Sequence, residues 1–424
     1  MLGKINPDIK RVTVVGAGIS GLLAAYRLNQ VGYEVTIVEA GSTPGGLIST
    51  RKTAFGMSET AAHSLLASKP VTDLLNELKL KYVGVRKGSR ARYIVRSGKM
   101  KRIPLSLKEI AELIRRAMFT KAPKSIDQSL VERTVENWGK IHLGQAAVDY
   151  LLTPFLLGVY GSTSDKVTLS AAFPGLVVAP GKTLFRTLLS RNKKQRHQMI
   201  ALENGTGSLV EALSTKLSNQ LNGRFLLNHS IDQLPTDTNT VLTVPAHIAS
   251  SLLIKRFPKI AEKLSEVEYS PLITCTVFVR NDQHNPPRGV GVLIPPTENS
   301  RVLGILFNSS SFAGRSSDEV EISSYTAILG GPLHRELLTA SDLEIKSIIK
   351  TEFKTLFNLS GEAEHSEVIR WERAIPVYSS RLQDLSETAS EELSRAPGTV
   401  IFGNYTGQIS LRGLIEESLD FLKF

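Results

Sequence analysis

The run RVTVV, Arg11–Val15, is β-branched almost throughout and predicts a short buried strand. GAGISG follows at once and leads into LLAAYRLNQVG, whose apolar residues recur at helical spacing and stop at Gly32. EVTIVEA then reads as a second strand, completing strand, glycine turn, helix and strand. Further along, LSLKEIAELIRRAM and VERTVENWGKIHLGQAAVDYLLTPFLLGVY carry apolar residues at helical spacing, so residues 104–160 are expected to be mostly helical. LENGTGSLVEALSTKL predicts a glycine turn and an amphipathic helix, GRFLLNHSIDQL a strand, and LITCTVFVR another. Near the end TVIF predicts a strand, Gly403 and Asn404 a turn, and a helix begins after Ser410.

The glycines of the first turn occupy dinucleotide-binding positions. Gly16 permits a tight turn, Gly18 lets backbone approach a pyrophosphate, and Gly21 lets the helix pack closely on the sheet. Glu39 closes the second strand, where a carboxylate can accept hydrogen bonds from ribose hydroxyls. GSTPGGLIST adds Gly45 and Gly46 just beyond this acid, a second backbone turn that favours FAD over NAD.

Composition sets outer limits. The 424 residues, 42% of them hydrophobic, exceed one ordinary domain and can bury a large core. A single cysteine, Cys275, rules out a disulfide framework, and the eight histidines lack ligand spacing, so no metal site is expected. The start MLGKINPDIKR is too short and polar for a signal peptide, and no run of eighteen apolar residues occurs, which predicts a cytoplasmic or peripheral protein. A net charge of +11 favours anionic partners, but no basic and aromatic interleaving points to nucleic acid.

GSTPGGLIST resembles the extended FAD fingerprint of the amine oxidase-like flavoproteins, although many amine oxidases have Arg where Leu47 stands. Within that superfamily, GVYGSTSDKVTLSAAFP, RWERAIPVY and ARYIVRSGKMKRIP are similar to the protoporphyrinogen and coproporphyrinogen oxidases, in order along nearly the whole chain. The resemblance implies an α/β fold: a discontinuous Rossmann-like FAD domain of residues 1–85, 197–252 and 368–424. It further implies a mixed-sheet substrate domain of residues 86–103 and 253–367, and a helical, membrane-facing lobe of residues 104–196. Non-covalent FAD would contact Gly16, Ala17, Gly18, Ile19, Ser20, Gly21, Glu39, Ala40, Gly45, Gly46 and Leu47 near the first turn. It would also contact Ala61, Ala62, His63 and Ser64 beside the ring, Ile231 at the adenine, and Gly403, Asn404, Ile409, Ser410 and Leu411 at the far end.

The reaction so implied oxidises a porphyrinogen to the porphyrin by hydride transfer to flavin N5, with molecular oxygen as acceptor, in haem biosynthesis. The cofactor carries the hard step, so no catalytic side chain is expected. Arg92 would hold a propionate and Gly158 would bring backbone close to the flat tetrapyrrole. The chain departs from the family pattern in Ala61 and Ala62, where Gly and Pro are usual, in Arg381 and Leu382, where Gly and His are common, and in Gln408. Two other readings therefore stay open: an amine oxidase or polyene desaturase of the same superfamily, and a low-activity tetrapyrrole-binding flavoprotein. A monomer or homodimer is expected.

Overall fold

A computed structural model describes residues 1–123, 134–190, 197–317 and 321–424. Five parallel strands and one antiparallel edge strand form a six-stranded sheet, in the order Leu2–Lys4, Thr399–Ile401, Asn239–Leu242, Arg11–Val15, Glu34–Val38 and Phe225–Leu226. The chain moves outward on one side of Arg11–Val15 and returns on the other. The strand order therefore reverses between Arg11–Val15 and Asn239–Leu242, the crevice where such sheets bind ligands. Thr243 closes the crevice, its hydroxyl donating to the carbonyls of Val15 (2.8 Å) and Gly16 (3.0 Å).

The helix Ile19–Gln30 buries ten of its residues, Ile19 to Leu28, because this stretch is small or apolar on every face and lies between sheet and neighbouring helices. Its tight seating rests on one glycine: a Cβ on Gly21 would lie 1.9 Å from the Gly16 carbonyl oxygen.

A second sheet has seven strands, in the order His365–Pro376, Tyr269–Arg280, Ile322–Gly330, Val302–Leu306, Gly291–Leu293, Arg92–Arg96 and Lys99–Lys101. Residues alternate between its faces. Ile273, Cys275, Val277, Tyr325 and Val95 turn to one face and pack with Phe353 and Phe357 of the helix Asp342–Phe357. The other face carries Leu272, Thr276, Thr326, Leu293 and Arg92 toward the rest of the molecule. Two expected borders move. The border at 368 falls inside the strand His365–Pro376, which lies at the edge of this sheet and pairs along Tyr269–Arg280. The border at 253 is too early, since the helix Pro258–Ser265 shares a core with Leu242 and Ile401 of the first sheet, and the second sheet starts at Tyr269.

The described residues between 104 and 190 are largely helical, but not in one long rod. Gly144, at φ +93°, separates Val135–His142 from Gln145–Ala147, and a π-helical turn Val148–Leu152 precedes Thr153–Tyr160, where Pro154 cannot donate a ladder bond. Val131–Arg133, the expected start of that helical run, lies outside the described residues. The helix Leu107–Phe119 is opened by a capping box between Ser106 and Glu109 and buries no residue. Among the described residues no helix is long and apolar enough to cross a membrane.

Candidate functional site

The first glycine turn forms a cradle. Gly16 sits at φ +102° and donates to the Val38 carbonyl at 2.8 Å, conformations a side chain would resist. Cβ atoms at Gly16 and Gly21 would meet protein within 3 Å, whereas one at Gly18 would meet nothing within 4 Å. Gly18 is therefore the one of the three that faces open space. It caps the helix Ile19–Gln30 without a side chain, leaving the positive helix end and its free N–H groups to an external anion. The second turn comes close: Gly45 donates to the Ala17 carbonyl at 2.9 Å, and a Cβ on Gly46 would lie 3.4 Å from Gly18. Glu39 accepts the N–H of Ala17 and of Gly41, both at 2.7 Å, and its carboxylate keeps lone pairs for ribose hydroxyls. Ala17, Ile19 and Ser20 are buried, and Ala40 is exposed beside the acid. These groups fit a dinucleotide.

The far-end residues converge on the same crevice. Gly403 follows the strand Thr399–Ile401, and the Asn404 carbonyl accepts the hydroxyl of Tyr378. Ser410 caps the helix Leu411–Ser418 through Gly413 N–H at 3.1 Å, and Ile409 is half-buried against the core below the first sheet. Gln408 lies across this helix start, so close to Gly413 that a Cβ there would meet its Oε1 at 2.2 Å. Ile231 corrects an expectation. The strand holds only Phe225–Leu226, and Ile231 lies beyond it in irregular chain, packed near Leu234 and Val244.

The flavin-side loop, with Ala61 and Ala62 where Gly and Pro are usual, is held by groups distant in sequence. Trp371 Nε1 donates to the Thr60 carbonyl at 2.9 Å, and the Thr206 hydroxyl donates to the Ala62 carbonyl at 2.7 Å. Thr60 is itself tied to the second glycine turn through the Leu47 carbonyl at 2.6 Å. Beneath the loop lies a buried ion pair. Glu59 is 3% and Arg315 4% exposed, with Nη1 to Oε1 at 3.4 Å. Glu59 also accepts from the Thr206 N–H (2.9 Å) and the Thr50 hydroxyl (2.6 Å), while Arg315 Nη2 donates to the Leu202 carbonyl at 2.6 Å. Burial raises the Glu59 pKa, with Thr50, Thr206 and Arg315 acting against it.

His63 and Ser64 line a small cavity with Met57, Glu59, Leu306, Asn308 and Arg315. The cavity therefore joins the flavin-side loop to the second sheet. Asn308 in its wall is held from behind, donating to Thr326 (2.9 Å) and Ser324 (3.2 Å), and Thr326 bonds Thr276 at 3.1 Å. His63 Nε2 is buried there without a partner, and burial first, then the Arg315 charge, lower its pKa to about 4. Its imidazole is neutral at neutral pH.

Arg92 is exposed at the start of its strand, on the same face as Arg96, which stacks 4.3 Å over Tyr150 and pairs with Glu109. A Cβ on Gly158 would lie 2.5 Å from Leu293 Cδ2, so the missing side chain lets the helix Thr153–Tyr160 seat on the sheet. Arg315, Thr206 and Thr50 were not foreseen from sequence; Trp371 lies in the stretch RWERAIPVY that carried the resemblance, but its bond to Thr60 was not foreseen. Among the described residues no cluster of His, Cys, Asp and Glu could hold a metal.

A family model described as flavin containing amine oxidoreductase matches residues 19–418. The chain is 27% identical to protoporphyrinogen oxidase 2, chloroplastic/mitochondrial, of Arabidopsis thaliana, over 95% of this chain and 91% of that protein. It is 23% identical to coproporphyrinogen III oxidase of Bacillus subtilis (strain 168), over 93% of each. A crystal structure from Exiguobacterium sp. 255-15, provisionally named a protoporphyrinogen oxidase, shares the fold with a TM-score of 0.79 at 20% identity, covering 99% of this chain and 98% of that one.

Proposed function

Starting from a chain that belongs to the flavin-containing amine oxidoreductases, and so is an FAD-dependent oxidoreductase, we propose that it oxidises a porphyrinogen to the porphyrin. The substrate would be protoporphyrinogen IX or coproporphyrinogen III, and the electron acceptor molecular oxygen, within haem biosynthesis. The observation that carries this reading is the cavity that joins the flavin-side loop to the second sheet, lined by His63 and Ser64 together with Val290, Leu306 and Phe312. An apolar lining of this kind suits a flat ring system, and Arg92, exposed on an outer strand of the same sheet, would meet carboxylates at its rim.

Held in this crevice, FAD would supply two-electron acceptor chemistry for loss of a hydride from a methylene bridge of the substrate, and the residues of the chain would do the binding and orienting. Gly16 to Gly21 with Glu39 would hold the nucleotide half. The loop Ala61 to Ser64, pinned by Trp371 and Thr206, would set the height of the ring under the cavity. Arg92 would orient the substrate through a propionate. Attachment through cysteine is disfavoured, because Cys275 faces the core under the helix Asp342–Phe357 and burial pushes its thiol up to about 12.

The test is anaerobic mixing of the FAD-loaded protein with each porphyrinogen, followed by air. Bleaching of the flavin absorbance, then porphyrin fluorescence with oxygen uptake, is expected. Bleaching by amines or polyenes alone would move the chain to another branch. Tight porphyrin binding with no flavin reduction would instead favour a tetrapyrrole-holding flavoprotein, the reading to which the Ala61–Ala62 departure lends support. Arg92→Ala should raise KM for the porphyrinogen without changing flavin content, and an unaltered KM removes Arg92 from the site.

The helical region supports a further part of the reading, a peripheral membrane contact. Ile103, Leu107, Ile114, Met118, Phe119 and Leu189 are all exposed there, beside Arg115 and Lys121. Apolar side chains ringed by cations suit an anionic lipid surface, and co-sedimentation with anionic but not neutral vesicles is expected.

A further inference from the structure

Glu59 lies in the hairpin Thr50–Thr53/Gly56–Glu59, and Arg315 lies 256 residues away in the loop that follows Asn308–Ser311. One guanidinium therefore joins three parts of the molecule: the hairpin that leads into the flavin-side loop, the Leu202 carbonyl at the end of the strand Met199–Leu202, and the cavity wall of the second sheet. The two ends of the planar fork point to different parts: Nη1 serves Glu59 and Met57 Sδ, the latter at 2.8 Å, and Nη2 donates to Leu202. Glu59 passes the constraint on. It accepts the Thr206 N–H, and the Thr206 hydroxyl holds the Ala62 carbonyl. The loop with alanines in place of Gly and Pro is thus held from below by charge and from above by Trp371.

We propose that Arg315 is a positioning residue: by bridging Glu59 and Leu202 it fixes the path of residues 60–64, and so the distance between the flavin-facing backbone and the porphyrinogen cavity. The proposal rests on the function given above, but the clamp itself can be read without it. The chain has two tryptophans, Trp371 bonded to the loop and Trp138 buried in the helix Val135–His142. Their indole N–H resonances in the full ¹⁵N-labelled protein serve as reporter and control. Arg315→Met should shift the Trp371 resonance and leave that of Trp138 in place. In the FAD-loaded protein it should also change the visible circular dichroism of the flavin and raise KM for porphyrinogen about tenfold, with flavin content unchanged. Arg315→Lys should behave like Arg315→Met, because a point ammonium cannot span both acceptors.

A Trp371 resonance unmoved in Arg315→Met, or full recovery by Arg315→Lys, overturns the proposal. If Arg315→Met loses the Trp138 signal, the double variant Glu59→Gln/Arg315→Met, which buries no unpaired charge, is measured in the same way. Loss of the Trp138 signal there too makes Arg315 a general structural residue and also overturns the proposal. A shifted Trp371 in a wild-type chain that never takes up FAD would leave the clamp standing and remove the oxidase reading instead.

Discussion

Two helices of nearly equal length divide the molecule. Ile19–Gln30 buries ten residues, while Leu107–Phe119 buries none, although both show apolar residues at helical spacing. The first holds small and aliphatic residues on all sides and is clasped by sheet and helices. The second alternates Leu107, Ile110, Ile114 and Met118 with Lys108, Glu109, Glu112 and Arg115, and packs chiefly on Leu184–Leu189, whose own Phe185, Leu188 and Leu189 are exposed. Spacing predicts that a helix forms. What covers it depends on how much of its circumference is apolar, and for the second helix that partner is not within the described chain.

The largest effect should come from Gly21→Ala. The new methyl cannot coexist with the Gly16 carbonyl, so the helix must lift from the sheet, and soluble FAD-loaded protein should be lost. Leu22→Ala, in the same helix but without a clash, should cost about 2–5 kcal/mol in urea unfolding. The matching change Leu107→Ala should stay within about 0.5 kcal/mol, since Leu107 is 85% exposed. A Leu107 effect as large as that of Leu22 would erase the contrast between the helices.

An intermediate effect is expected with pH, at the flavin-side loop. His63 has a folded pKa of about 4 against an ordinary 6.5, so the unfolded chain binds its proton first as pH falls. Its contribution to stability is complete above 6.5 and is lost progressively down to about 4; Glu59 and Arg315 are the charged groups that line the same cavity. Denaturant midpoints of the wild type and of His63→Gln should therefore converge or cross between those pH values, and parallel curves would contradict the burial of Nε2. The smallest stability effect belongs to the triple change Ile114→Ser, Met118→Ser, Phe119→Ser. It should move Tm by no more than a few degrees yet abolish binding to anionic vesicles.

What could be read in advance follows the same division between local and distant causes. The turn from Gly16 to Gly21, Glu39, and the helix start at Ser410 each depend on neighbours within a few residues or within one strand-helix-strand unit, so spacing alone located them. The clamp could not be found that way. Glu59 meets Arg315 across 256 positions and Trp371 meets Thr60 across 311, and nothing in either local sequence marks the partner. The strand expected through Ile231 stops early for a local reason: Asn228 takes the left-handed conformation at φ +55°, and beyond the bonds of Asn228 to Gly41 and of His229 to Glu39 the chain is irregular. Gly158 was recognised as a close approach, yet the sequence could not say that Leu293 was the approaching group.

The strand Thr399–Ile401 lies between Leu2–Lys4 and Asn239–Leu242. During synthesis Leu2–Lys4 and Asn239–Leu242 both emerge well before the strand that fits between them, and until it arrives their edges stay unpaired. A nascent chain stalled before residue 399 therefore has a template for foreign β-strands where the finished protein has its own.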